Sequence, residues 1–175
     1  LYFNRSETGQ MLLLSSLFSV ALVFTRVLYT GEALFLFLIW NLFLAFIPYA
    51  ITRCCMHNIA WMESRLKFSA MLLVWLLFVP NAFYIITDLF HLQPRAEIPL
   101  WFDLALLFSF AWNGLLLGVL SVQQMETLLQ IKWPMKRAWL FVPLVMFLIA
   151  FGVYVGRYLR VAKRARLGSR LAAQT

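Results

Sequence analysis

The chain has 175 residues, of which 63% are hydrophobic and 13% charged, with a mean hydropathy of +0.83. Ordinary globular domains hold about 45–50% apolar and about 25% charged residues, so this composition excludes intrinsic disorder and argues against a soluble fold. The only two cysteines are adjacent, which excludes a disulfide-stapled module. The net charge of +8 and pI near 10.0 would point to nucleic acid in a soluble protein. Here the basic residues fall in loops and the tail, where the positive-inside bias and anionic headgroups account for them. No soluble basic segment interleaved with aromatics is present, so nucleic acid is not an expected partner.

A membrane-spanning helix needs about 20 mostly apolar residues. Five runs meet that need: Met11 to Tyr29, Glu32 to Thr52, Lys67 to Phe90, Pro99 to Val122 and Ala138 to Tyr158. They are apolar all round and too long for barrel strands, so the expected fold is an all-α bundle of about five transmembrane helices. Three parts follow: an extramembrane segment over 1–10, a helical membrane domain over 11–160 and a basic tail over 161–175. The first run has neither a basic flank nor a small-residue cleavage motif, and reads as a retained span, not a signal peptide.

Charge placement bears on orientation. With five spans, Arg5, Arg53, Arg65, Lys67, Lys132, Lys136 and Arg137 share one side, seven basic residues in all. Arg26, Arg95, Arg157, Arg160, Lys163, Arg164, Arg166 and Arg170 make eight on the other. The positive-inside rule does not predict such a near tie. Two resolutions stay open: a sixth span missing near the C-terminus, or a five-span protein oriented by its internal loops. Either way the second and fourth loops are expected in the cytoplasm.

Three asparagines, Asn41, Asn81 and Asn113, fall near the middle of the second, third and fourth spans, with Ser109 one turn before Asn113. In hydrocarbon these amides should face one another, as packing contacts or as a polar pocket. Pro80 has no N–H, so the carbonyl of Leu76 loses its helical partner next to Asn81. A second cluster gathers at the outer interface: Asp88, His91, Asp103, Arg157 and Arg160, with Arg26 and Glu32 flanking the first loop. Salt bridges from Arg157 and Arg160 to Asp88 and Asp103 are the plainest reading. Paired arginines also suit a phosphate or carboxylate, and two carboxylates with an imidazole suit a divalent metal, although no spaced metal motif is present. Cys54-Cys55-Met56-His57 offers soft ligands or an acylation site, against an inert thiol pair. No metal, cofactor or catalytic residue is assigned from the sequence.

The aromatics divide by depth. Trp61, Trp133 and Trp139 on one side, with Tyr29, Trp101 and Tyr158 on the other, are expected at the membrane interfaces. Trp40, Trp75 and Trp112 sit deeper, where packing between helices is expected.

Several long stretches are distinctive: Asn41-Leu42-Phe43-Leu44-Ala45-Phe46-Ile47-Pro48-Tyr49, Pro80-Asn81-Ala82-Phe83-Tyr84-Ile85-Ile86-Thr87-Asp88-Leu89-Phe90-His91-Leu92, Trp101-Phe102-Asp103-Leu104, Phe110-Ala111-Trp112-Asn113-Gly114-Leu115-Leu116-Leu117-Gly118 and Gly156-Arg157-Tyr158-Leu159-Arg160. On these the chain resembles a bacterial family of integral membrane proteins, domain-of-unknown-function family thirteen sixty-one. The resemblance implies a multi-pass protein of the bacterial cytoplasmic (inner) membrane and supplies no reaction. It also implies further hydrophobic sequence after Arg160, where this chain runs Val161-Ala162-Lys163-Arg164. The expected role is an accessory or scaffold subunit of a membrane assembly, not an enzyme, with the lipid bilayer and other membrane-protein subunits as partners. The alternatives are a transporter or small-molecule- or lipid-binding protein, and a membrane enzyme acting on lipid or envelope precursors.

Overall fold

The computed structural model describes residues 5–58, 63–94, 98–132 and 140–172, with the side chains of 5, 6, 157 and 159–172 outside the description. Among the described residues there are five α-helices and no strand. They are α1 (Arg5–Thr30), α2 (Phe37–His57), α3 (Arg65–Tyr84), α4 (Leu100–Lys132) and α5 (Phe141–Ala172), with a 3-10 helix, Ile85–His91, continuing α3. The first four, counting the 3-10 turn with α3, are long and apolar enough to cross a membrane. In α5 the described apolar stretch, Phe141–Gly156, is shorter. Consecutive helices run in opposite directions: α1 and α3 pair antiparallel to α4 through Arg26–Asp103, Ser19–Asn113 and Trp75–Ser121.

Local chemistry sets the helix ends. Gly31 sits at φ +71°, where its N–H donates to the Val27 carbonyl at 2.8 Å and closes α1. A left-handed residue is costly for any side chain but glycine's hydrogen, so Gly31 is the natural stop. Helix α2 therefore starts at Phe37, five residues after the expected Glu32, and it ends at His57 instead of Thr52. The shift moves Asn41 from mid-span to the first turns of its helix. Ser64 caps α3 by accepting from the Lys67 N–H. At the other end of α3 the chain tightens into the 3-10 turn that carries Asp88 and His91 three residues apart. A 3-10 helix has three residues per turn, so these two side chains share one face.

Helix α4 is the organising element. Its 33 residues span about 50 Å, ten residues beyond the expected end at Val122. The added turns keep an inward face, because Val122, Met125 and Leu128 are buried. Two cores meet along α4. One joins α1, α2 and the 3-10 turn through Val23, Leu38, Leu42, Ile85, Leu106 and Phe110. The other joins α2, α3 and α5 through Cys55, Phe68, Trp75, Val79, Val122, Met125 and Ile149.

The α3–α4 crossing is close because of Gly114 and Gly118. A Cβ at Gly114 would overlap the Ile85 side chain, and one at Gly118 would lie 2.9 Å from the Phe83 ring. Small residues four apart let membrane helices approach backbone to backbone.

Two expectations about tryptophan fail. Trp75 is buried, but Trp40 and Trp112 are 61% and 51% exposed and face outward. Both sit on the outer faces of α2 and α4, where Phe43 and Phe108 pack beside them. An indole has as much to gain from lipid contact as from a helix neighbour. Trp61, Trp133, Trp139 and Ala138 lie outside the described residues.

Candidate functional site: the buried polar ties of the bundle

A buried polar cluster lies where α1 ends and α2 and α4 begin. Arg26 precedes the end of α1 by four residues, and its side chain is 1% exposed. Its Nε donates to Asp103 Oδ1 at 2.9 Å, and the Asp103 side chain is 3% exposed. The guanidinium carbon stands 4.6 Å from the centre of the Phe35 ring, within cation–π reach. Glu32 reaches Nη2 only at 3.9 Å and is half exposed. Nη1 is buried and has no hydrogen-bond partner.

Asp88 is also buried, and the Asn41 amide donates to its Oδ2 at 2.7 Å. This bond ties the start of α2 to the 3-10 turn. His91, one 3-10 turn further on, rests against the Phe37 ring at 5.5 Å between centroids, with Nδ1 buried and unpartnered. The Asn41–Asp88 bond thus holds α2 to the 3-10 turn, and the Arg26–Asp103 bond holds α1 to α4. Among the described residues no three His, Cys, Asp or Glu side chains gather as a metal-ligand set.

Deeper in the bundle, Asn113 Nδ2 donates to Ser19 Oγ at 2.9 Å, to the Ser109 carbonyl at 2.9 Å and to the Ser15 carbonyl at 3.2 Å. Its Oδ1 is buried without a partner. Ser109 turns its hydroxyl to the carbonyl of Leu106 on its own helix. Asn81 donates to the Phe78 carbonyl, three residues back. The three asparagines were expected to face one another; instead each amide takes a partner of its own. The reason is register. Asn41 enters at the start of α2, Asn81 caps a carbonyl of its own helix, and Asn113 turns toward α1.

Two further ties join helices through residues with no marked sequence signal. Trp75 Nε1 donates to Ser121 Oγ at 2.7 Å, and Thr52 Oγ1 lies 2.8 Å from Gln124 Oε1. Arg26, placed only at the edge of the first loop, is the largest omission. A single cation at the end of an apolar run is the signal that exposes it, since such a charge must find a partner inside the bundle. The side chains of Arg157 and Arg160, expected to join Asp88 and Asp103, lie outside the described residues. Cys54 is exposed and Cys55 buried, both as free thiols.

Two cavities border these ties. One, of about 210 Å³, lies between the end of α1 and the start of α4, against Thr25, Arg26, Tyr29, Ile98, Trp101 and Phe102. The other, of about 280 Å³, opens between α3, α4 and α5 near Trp75, Glu126 and Phe141. Neither is lined by Asn81 or Asn113.

Long apolar helices held together by inward polar contacts define a multi-helix membrane protein. The chain belongs to the family described as "Protein of unknown function (DUF1361)", whose sequence model matches residues 40–163. Asp103 lies inside the matched region, while Arg26 and the rest of α1 precede it. No curated protein and no solved structure matches the chain.

Proposed function

We propose that the protein is an accessory or scaffold subunit of a membrane assembly in the bacterial cytoplasmic membrane, with other membrane-protein subunits and the bilayer as its partners. One observation carries this reading. Asp103, Asn113, Ser121 and Gln124 all occupy the inner side of α4, and each bonds outward to a neighbouring helix: α1, α1 again, α3 and α2.

Asp103 and Asn113 are ten positions apart, or about 15 Å of helix; Asn113 and Ser121 are about 12 Å apart. Leu106, Leu107, Phe110, Gly114 and Leu117 fill those intervals and are buried. A proton or ion relay requires polar steps of about 3 Å. Ties at three levels, Asp103, Asn113 and the Ser121–Gln124 turn, with apolar packing between the levels suit a rigid bundle better than a transport path. The acid–base reading is weaker for a similar reason, since Asp88 and Asp103 are both buried and bonded to side chains on other elements. Among the described residues α5 packs chiefly against α3 and more weakly against α4, and Phe147, Phe151 and Tyr154 on it are exposed.

Native mass spectrometry of the gently solubilised protein from its source membrane tests the proposal. Other membrane subunits in fixed stoichiometry are the expected result. A monomer or homo-oligomer carrying a defined solute or metal, with no other subunit, overturns it in favour of transport or catalysis.

A further inference from the structure

The groove between α1 and α4 differs from an ordinary lipid-facing crevice in what lies at its base. Thr25, Tyr29, Ile98, Pro99, Trp101 and Phe102 make its walls almost wholly apolar. Arg26 also borders it, and Arg26 carries a buried Nη1 with no acceptor. An unpaired buried donor on a charged group is costly, so such a group is an incomplete site until an acceptor arrives.

The character of that acceptor follows from the neighbours. Asp103 at 2.9 Å and Glu32 at 3.9 Å already balance the guanidinium charge. A further anion would meet the Asp103 carboxylate as well as the arginine. What remains unfilled is a hydrogen bond, which a neutral carbonyl supplies without adding charge. Depth narrows the choice further. Arg26 is four residues inside the end of α1, about 6 Å below it. Tyr29 and Trp101, both well exposed, stand at the groove as interfacial aromatics do, at headgroup level. The layer just beneath the headgroups is where a glycerolipid carries its ester carbonyls.

We infer that this groove binds one diacyl glycerolipid, with an acyl chain along Ile98 and Phe102 and an ester carbonyl accepting a hydrogen bond from Arg26 Nη1. Nη1 has no exposed surface of its own, so binding includes a side-chain shift at the groove wall that opens it to the carbonyl. The inference is independent of the scaffold reading, since a transporter or an enzyme could hold the same lipid.

The test separates the carbonyl from the chain. The full-length protein is exchanged into nanodiscs holding equal amounts of diester and diether phosphatidylglycerol of matched chain length, then released for native mass spectrometry. A diether lipid keeps headgroup, charge and chains but lacks the carbonyl. One retained lipid is expected, with diester favoured over diether by about 3- to 10-fold, the value of one hydrogen bond. Thr25→Trp fills the groove from an exposed position and leaves Arg26 and Asp103 in place; it is expected to abolish retention with an unchanged melting midpoint. Equal retention of the two lipids, no retained lipid, or a selective lipid that survives in a folded Thr25→Trp protein each overturns the inference. The diester-to-diether comparison needs no variant, so it stands even if Thr25→Trp misfolds.

Discussion

Arg26 and Asp103 are 77 residues apart in sequence, and they meet at 2.9 Å as a buried ion pair that fastens α1 to α4. Removing one partner of such a pair leaves the other charged and dry, at a cost of about 3–5 kcal/mol, whereas replacing both with apolar residues is often neutral or better. Asp103→Leu alone is therefore expected to destabilise the protein severely. Arg26→Met combined with Asp103→Leu is expected to recover most of that loss. Thermal unfolding in detergent, run as a double-mutant cycle, reads the difference. Additive single effects would show that the pair does not act as a unit.

The α3–α4 contact depends on hydrogen atoms at two positions. Gly114→Ala places a methyl group into Ile85 and within 3.0 Å of the Ala82 carbonyl, which backbone cannot easily yield. Gly118→Ala meets chiefly the Phe83 ring, which can turn aside. Overpacking costs about 1–3 kcal/mol where neighbours cannot relax. The larger loss is thus expected at Gly114, and Ile85→Ala in the Gly114→Ala background should restore only part of it, because the carbonyl contact remains. Equal melting shifts for the two alanine variants would count against this geometry.

Helix existence was legible because each span needs an apolar run and a break, and Gly31 and the Gln93-Pro94 region supply breaks in plain sight. Ends were less legible. The stretch from Gln123 to Lys132 is polar enough to look like a loop, yet Met125 and Leu128 keep it packed. Asn41 lies shallower than mid-span because α2 begins at Phe37, beyond Glu32. That Asp88 and Asp103 matter could be read from their setting beside apolar helices. That Asn41 meets Asp88 and Arg26 meets Asp103 could not, since those contacts depend on helix rotation and on which helices touch. Gly114 and Gly118 carry a readable signal in their four-residue spacing, which small residues at a close helix crossing share.

Trp75 is fully buried, and its indole N–H rests on Ser121 Oγ at 2.7 Å. Ser121→Ala leaves that donor without its acceptor inside an apolar core, a loss of about 1–3 kcal/mol. Trp75→Phe removes the donor itself and exchanges the penalty for a smaller packing defect. In the Trp75→Phe background, Ser121→Ala should have little further effect. Melting midpoints of the four proteins decide it; a Ser121→Ala loss that persists without the indole would mean that the serine serves some other contact.

Asn113 gives a test of where α1 lies. Its amide nitrogen bonds Ser19 and two carbonyls, but its oxygen is buried and unpaired. Interhelical hydrogen bonds in membranes contribute about 0.6–2 kcal/mol, and an unpaired buried oxygen offsets part of that gain. Asn113→Leu, similar in size, is therefore expected to shift stability by less than about 1 kcal/mol. The position itself is better read covalently. With Cys54 and Cys55 first replaced by alanine, cysteines at positions 19 and 113 should be joined by a short bifunctional thiol reagent in intact membranes. The same reagent should fail with cysteines at 18 and 113, because Phe18 is exposed on the outer face of α1. Efficient linking from position 18 and none from 19 would mean that α1 presents a different face to α4, and the Arg26–Asp103 pair would then have to be abandoned with it.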